Sequence, residues 1–258
     1  MNKNKKITAF IPARMASSRF PGKPLAPIAG LPMIEHVRRR AMLARGVDEV
    51  YVATCDKEIM ETVEKSGGRA IMTSDKHERC TDRIEEAARS VETDMAIIVA
   101  GDEPMLLPET LESLVDLAHK EPEVYCANLL TVITKDEDYR SRDVVKAVLS
   151  QDGQILYFSR AEIPFFRVKN GQPVYRQTGI QLFTKDFLAK FSKLPPTPLE
   201  VAESIDFLRI LGNGFRVKAA IAQAETQAVD READIKRVEE ILKRDPAQRE
   251  LLQKVLKA

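Results

Sequence analysis

The stretch ITAFIPARMASSRFPGKPLAPIAGLPMIEHVRRRAMLARGVDEVYVAT, residues 7–54, decides the fold. It opens with the short, β-prone apolar run ITAFIP (7–12), which reads as a strand buried on both faces. A turn-rich segment holding Pro21, Gly22 and Pro24 follows, and then PMIEHVRRRAMLA (32–44), where Met33, Ile34, Val37 and Ala41 recur at helical spacing on one face. EVYVAT (49–54) is a second strand. Two buried strands joined through a helix make a crossover unit, and a crossover sets its strands parallel.

The same rhythm continues outward from that unit. A helix from Asp56 to about Ser66, a Gly67-Gly68 stop and the short strand RAIMT (69–73) come next. A helix over 81–91 that Thr81 is placed to cap, the very apolar strand MAIIVA (95–100) and a helix begun by Pro108 over 109–120 repeat the pattern. The expected class is therefore α/β, with a parallel sheet covered on both faces. Beyond residue 120 the alternation stops: 124–133, 144–149, 154–158 and 174–183 read as strands with few helices between them. That predicts a mixed or antiparallel extension, a smaller β-rich lobe over about 125–190 within one domain spanning 1–258. Segment 164–173 reads either as an arm or dimer contact or as a plain surface loop. A helix over 198–211, a strand over 215–222, a charged amphipathic helix from Glu232 to Lys243 and a polar tail complete the chain.

Bulk properties exclude several classes of function. Forty Lys and Arg stand against 39 Asp and Glu, so no global field recommends nucleic acid or an acidic membrane, and any positive site must be local. The basic start MNKNKK precedes an apolar run too short for a signal peptide core or a membrane span, which makes a cytoplasmic location the expectation. Cys55, Cys80 and Cys126 are scattered and odd in number, and His36, His77 and His119 have no metal-ligand spacing. Neither a disulfide frame nor structural zinc is expected, and the histidines read as surface or helix residues.

Ligands of an open parallel sheet gather beyond the carboxyl ends of its strands, so the turns there carry the chemistry. After the first strand, Arg14, Arg19 and Lys23 can converge on a polyphosphate, with Ser17, Ser18 and backbone N–H groups filling the gaps. The prolines restrict the loop and so reduce the entropy lost on gripping an anion. The spacing is not that of a Walker A loop, and no GxGxxG follows the strand. MAIIVAGDEPML delivers Asp102 to the same crevice, with Gly101 allowing a tight turn. A carboxylate beside a polyphosphate is repulsive unless a hard cation bridges them, so Asp102 reads as a Mg²⁺ ligand. Asp230, before the last charged helix, is by itself an ordinary N-cap; paired with Asp102 it becomes a second ligand.

Taken in order, IPARMASSRFPGKPL, GLPMIEHV, YVAT-x-D, GDEPM, VVK-x-VL, LYFSRAEIP and VDREADI resemble the 3-deoxy-manno-octulosonate cytidylyltransferases, the CMP-KDO synthetases, from about residue 7 to about residue 240. The resemblance implies a Rossmann-like nucleotidyltransferase fold with a central mixed, mostly parallel sheet. It implies a Mg²⁺-dependent, cytoplasmic homodimer that joins CTP to an acidic 3-deoxy-ulosonic sugar, giving the CMP-sugar and pyrophosphate for cell-envelope polysaccharide or lipopolysaccharide. It assigns Arg14 and Lys23 to the triphosphate with Ser17, Ser18 and Arg19 nearby, Asp102 and Asp230 to the magnesium, and Arg160 to the sugar acid. Thr81 and Arg83 fall to a cytosine pocket within Thr73 to Arg83.

Departures from the family pattern concentrate on the acceptor side. AGDEP replaces QGDEP, so Ala100 stands for a glutamine that meets the sugar; RQTGIQLF replaces RHLGIYGY, giving Gln177 for a histidine and Gln181 for an aromatic. In LEVAESIDFLR, Glu200, Glu203 and Arg209 keep the pattern while Asp206 replaces a glutamate and Phe207 a glutamine. RCT at Arg79 to Thr81 replaces SGT. The nucleotide half is intact and the sugar half rewritten, which leaves open KDO, a modified form such as amino-KDO, or another acid. A related nucleotidyltransferase acting on another ulosonic or non-sugar acid, and a catalytically silent nucleotide-binding protein, are the alternatives; two magnesium carboxylates count against the last.

Overall fold

The first apolar run forms β1 (Ile7–Ala13), whose side chains are buried almost without interruption because strands pack on both its edges and helices on both its faces. The computed structural model describes residues 5–17, 19–168, 171–222 and 228–257; Ser18 lies outside the described residues. The loop after β1 ends in a single 3-10 turn (Lys23–Leu25) and a small hairpin, β2 (Pro27–Ile28) with β3 (Leu31–Pro32), before α1 (Met33–Met42). Then β4 (Glu49–Thr54), α2 (Lys57–Lys65), β5 (Arg69–Met72), α3 (Cys80–Arg89), β6 (Met95–Ile98) and α4 (Pro108–Lys120) follow in strict alternation. The second half runs β7 (Cys126–Val132), α5 (Asp136–Arg140), β8 (Lys146–Leu149), β9 (Ile155–Ser159), β10 (Tyr175–Thr184), α6 (Lys185–Phe191), α7 (Pro198–Glu203), α8 (Phe207–Gly212), β11 (Lys218–Ala222), α9 (Glu232–Arg244) and α10 (Pro246–Lys257).

The sheet order is β11-β7-β10-β6-β1-β4-β5. β1 runs parallel to β4 and β6, β4 to β5 and β11 to β7, whereas β10 is antiparallel to β6 and β7. The sheet is thus mixed and mostly parallel. β7 and β10 lie within its path, and only the β8–β9 hairpin departs from it, through β10. The carboxyl ends of β1, β4 and β6 open on one edge, where the loop from Arg14 onward and Gly101-Asp102 both emerge.

Alternation along β1 sends Ile7, Ala9 and Ile11 to one core and Phe10 to the other. Ile34, Val37 and Ala41 of α1 close the first, each fully buried as their helical spacing requires. The second is aromatic: Phe183 stacks on Phe187 and Phe191 and meets Phe207, which itself packs edge-on against Phe158. Each such side chain contributes about 1.5–3 kcal/mol on leaving water.

Several expectations need correction. Arg79, not Thr81, takes the N-cap position of α3, and Thr81 is buried in the first turn. The helix expected over 198–211 is two short ones, broken where Ser204 adopts φ 54°, a left-handed conformation that periodicity does not reveal. The polar tail is helix α10. Its Gln248 is buried because it serves a buried cation: Arg40 Nη1 donates to Gln248 Oε1 (2.8 Å) and to the Leu106 carbonyl (3.0 Å), while Gln248 Nε2 donates to the Met105 carbonyl (3.1 Å). His36 stands on a helix, one of the two places expected for the histidines; it is fully buried there on α1, and its Nε2 lies 2.7 Å from the Ile28 carbonyl. No helix among the described residues is long and apolar enough to cross a membrane.

Candidate functional site

The loop after β1 is held from beneath. The Met15 amide donates to Asp56 Oδ2 (2.8 Å), and the Met15 carbonyl accepts from the amides of Ser17 (2.9 Å) and Gly22 (3.0 Å). Asp56 sits just beyond β4, where a parallel sheet naturally presents a carboxylate to the neighbouring turn. Gly22, at φ 73°, takes the left-handed turn into the 3-10 segment. That turn delivers Lys23, whose side chain is only 14 % exposed, and its Nζ donates to Asp102 Oδ2 (2.7 Å) and the Val229 carbonyl (2.9 Å).

Asp102 reaches this point because Gly101 has no side chain: a Cβ there would lie 2.7 Å from the Pro12 carbonyl oxygen. The Asp102 carbonyl accepts from the Val229 amide (2.9 Å), so the segment carrying Asp230 is joined to the one carrying Asp102. Asp230 pairs with Arg19 (2.8 Å). It does not cap α9: Arg231 takes the N-cap position, and the Asp234 carboxylate accepts from the amides of Asp230 (2.9 Å) and Arg231 (2.8 Å). Its own carboxylate is not used in capping and meets Arg19 instead. Two carboxylates on adjoined backbones are hard oxygen donors of the type Mg²⁺ prefers. Among the described residues no group of three or more His, Cys, Asp or Glu is placed to hold a metal, so the rest of a Mg²⁺ shell would be water and substrate oxygen.

A cavity of about 440 Å³ opens over these residues. Arg14, Ser17, Arg19, Lys23, Arg79, Arg83 and Asp102 line it, and the excess of cations suits a polyanion. Arg83 is buried and donates to Thr73 Oγ1 (2.5 Å), whereas Thr81 is 2 % exposed and is not part of this lining. A second cavity of about 300 Å³ adjoins it across Gly179 and Gln181, which line both. Arg160, Gln177, Asp206 and Phe207 bound this second space, and Ala100 lies against Gly179 at its border with the first. A third, polar cavity of about 610 Å³ touches Arg19 and Asp230.

Arg160 is fixed by neutral groups: its guanidinium donates to the carbonyls of Glu203 (2.7 Å), Arg142 (2.9 Å) and Ser204 (3.4 Å). Glu203 lines none of these three cavities; its carboxylate accepts from Ser159 Oγ (2.6 Å) and the Arg160 amide (2.8 Å), tying α7 to the end of β9. Lys146, fully buried, completes the brace by donating to the carbonyls of Ser141, Val144 and Arg160 at 2.7–2.8 Å, and burial lowers its pKa. Burial raises the Asp206 carboxyl above its ordinary range, with Arg79 opposing the shift. Sequence reasoning missed Asp56 and Lys146 as anchors. Their signals are an aspartate directly after a strand and a lysine inside an apolar one.

A family model described as Cytidylyltransferase matches residues 8–235. The chain belongs to the cytidylyltransferase family. It is 42 % identical over 234 residues to the 8-amino-3,8-dideoxy-manno-octulosonate cytidylyltransferase of Shewanella piezotolerans, covering 89 % of this chain and 96 % of that one. It is also 42 % identical over 248 residues to the 3-deoxy-manno-octulosonate cytidylyltransferase of Geobacter sulfurreducens, covering 92 % and 99 %. A solved CMP:2-keto-3-deoxy-manno-octonic acid synthetase complexed with CTP superposes with a TM-score of 0.89 at 37 % identity, over 93 % of this chain and 99 % of that one. The inositol-1-phosphate CTP transferase of T. maritima shares the fold, with a TM-score of 0.65 at 16 % identity. α10, which Gln248 anchors, lies beyond the segment that the family model matches.

Proposed function

We propose that this cytidylyltransferase joins CTP to an acidic 3-deoxy-ulosonic sugar, releasing pyrophosphate. The observation that carries the reading is the Lys23–Asp102 pair in a cation-lined cavity that shares Gly179 and Gln181 with the one bounded by Arg160. The names of the relatives from Shewanella and Geobacter support the class of acceptor, and the CTP complex of the superposed synthetase supports the donor.

In this reading the acceptor's anomeric hydroxyl attacks the α-phosphorus of CTP. An O–P bond forms, the bond to the β-phosphate oxygen breaks, pyrophosphate leaves and the hydroxyl proton passes to solvent. Positioning and charge neutralisation dominate such a transfer. Arg14, Arg19 and Lys23, with Ser17 beside them, hold the triphosphate and meet the charge that grows on the leaving group. Arg83 closes the cytosine end, and Arg160 takes the acceptor's carboxylate. Asp102 and Asp230 would hold Mg²⁺, which when bound neutralises phosphate charge and acts as a Lewis acid. A homodimer built through the hairpin side of the molecule, where Leu156, Phe165 and Val168 are exposed, fits the same reading, as does a cytoplasmic place in lipopolysaccharide synthesis.

The test is pyrophosphate release from CTP with Mg²⁺ against a panel of sugar acids. The wild type turns over with an ulosonic acid, and Asp102→Asn loses about 100-fold or more in kcat with its melting temperature kept. Turnover by Asp102→Asn near the wild-type rate, or release from another nucleotide only, overturns the reading.

A further inference from the structure

Asp102 stands in a tight turn whose far end is gripped by α10. Within the turn the Glu103 amide donates to the Ala100 carbonyl (3.4 Å) and the Leu106 amide to the Glu103 carbonyl (3.1 Å). At its end the Met105 carbonyl accepts from Gln248 Nε2 (3.1 Å) and the Leu106 carbonyl from Arg40 Nη1 (3.0 Å), while Arg40 Nη1 also donates to Gln248 Oε1 (2.8 Å). The two ends of the Gln248 amide therefore do different work. Its oxygen serves a fully buried cation that no carboxylate pairs with and whose Nε and Nη2 have no hydrogen-bond partner, among the described residues. Burial lowers the pKa of Arg40 to about 10, so it is still charged at neutral pH and its need for an acceptor keeps α10 in place. The nitrogen of Gln248 holds the turn that carries Asp102. α10 is tied to α1 a second time, where Arg39 Nη1 donates to the Val255 carbonyl (2.9 Å). Beneath the site Met105 and Val229 share one apolar cluster, and Leu252 of α10 packs against it. The Val229 amide and carbonyl are themselves bonded to Asp102 and Lys23, so α10 supports both backbone segments that bring the two aspartates together.

We propose that Gln248 is a positioning residue for the transfer: by holding the Met105 carbonyl from α10 it fixes the turn that presents Asp102 to the reacting phosphate. The inference rests on the cytidylyl-transfer reading and gives the C-terminal helix a part in it. A carboxylate that works with a metal ion and a phosphate must stand within a fraction of an ångström of its place, and its rotamer is held no better than the backbone beneath it. A turn released at its far end therefore slows the chemical step and weakens the hold on Mg²⁺. The grip on the nucleotide is spared, because the loop after β1 has its own anchor in Asp56.

The experiment compares the full chain with its Gln248→Glu and Gln248→Leu variants, by thermal melts and by pyrophosphate release from CTP with whichever of 3-deoxy-manno-octulosonate and its 8-amino form the wild type uses. Gln248→Glu keeps an oxygen for Arg40 and loses the donor to Met105, whereas Gln248→Leu loses both. Gln248→Glu should therefore melt at or above the wild-type temperature and still lose about tenfold in kcat, with KM for CTP kept within about twofold. The Mg²⁺ concentration giving half the maximal rate should rise in it, and CTP with Mg²⁺, added without acceptor, should raise its melting temperature less than that of the wild type. Gln248→Leu should show the same loss of rate at a lower melting temperature; if it fails to fold, Gln248→Glu carries the test alone. A wild-type rate in Gln248→Glu, rate losses that simply follow the melting temperatures, or a loss confined to KM overturns the inference while leaving cytidylyl transfer in place. No release by the wild type with either acceptor overturns both.

Discussion

Replacing Gly101 with alanine tests how Asp102 is placed. The added Cβ would stand 2.7 Å from the Pro12 carbonyl oxygen, and the next neighbour is the Ile11 side chain at 3.4 Å. A carbon and a carbonyl oxygen rest at about 3.3 Å or more, so about 0.6 Å of movement is required. The obstructing atom is backbone of β1, which is paired on both sides, so no flexible side chain can yield. Overpacking of this kind costs about 1–3 kcal/mol. In a chain of this length that lowers the melting temperature by about 2–10 °C. Movement also falls on Asp102, the adjacent residue. Misplacing a group by a sizeable fraction of an ångström lowers kcat by about tenfold to 100-fold. Thermal melts and pyrophosphate release measure the two effects separately, and Gly101→Ser should match or exceed Gly101→Ala in both. A Gly101→Ala variant with wild-type melting temperature and wild-type rate would refute the steric account.

Asp56→Ala removes the acceptor of the Met15 amide, so it should raise KM for CTP about tenfold with KM for the acceptor unchanged. Steady-state kinetics with each substrate varied in turn checks this, and an effect confined to the acceptor would assign the loop elsewhere. His36 is buried and neutral, its pKa lowered from 6.5 to about 4 by desolvation first, against the Ile28 carbonyl, which raises it. The unfolded chain therefore binds a proton that the folded chain refuses between those values. The contribution of His36 to stability is complete above about pH 6.5 and is lost as the pH falls toward about 4, by roughly 3 kcal/mol in all. Imidazole resonances followed by NMR should show no titration of His36 above about pH 5; a midpoint near the ordinary histidine value would contradict the burial argument.

The alternation of buried strands and one-faced helices over the first 120 residues was legible because helix and strand periods differ and each burial pattern follows its period. Met33, Ile34, Val37 and Ala41 stand where their spacing puts them. What periodicity could not show is a break inside a helix. Ser204 turns left-handed between α7 and α8, and that turn lets Glu203 reach Ser159 and Arg160 while Asp206 faces the second cavity. α10 was illegible for a related reason. Its Gln248 looks like a solvent residue until Arg40, more than two hundred positions earlier, is seen to need it. A polar residue buried to satisfy another polar residue has no signature in hydropathy.

The sequence by itself determined the α/β class, the family and the cationic loop with its aspartates, since these rest on local pattern and on motifs contiguous along the chain. Only the tertiary structure decided which charges remain unspent. Lys23 meets Asp102 and Arg19 meets Asp230, Glu203 is consumed in bracing Arg160, and the Asp206 carboxylate, which Arg79 attracts, has no hydrogen bond among the described residues. Pairing depends on distance through space, which crossovers and a mixed sheet make independent of distance along the chain.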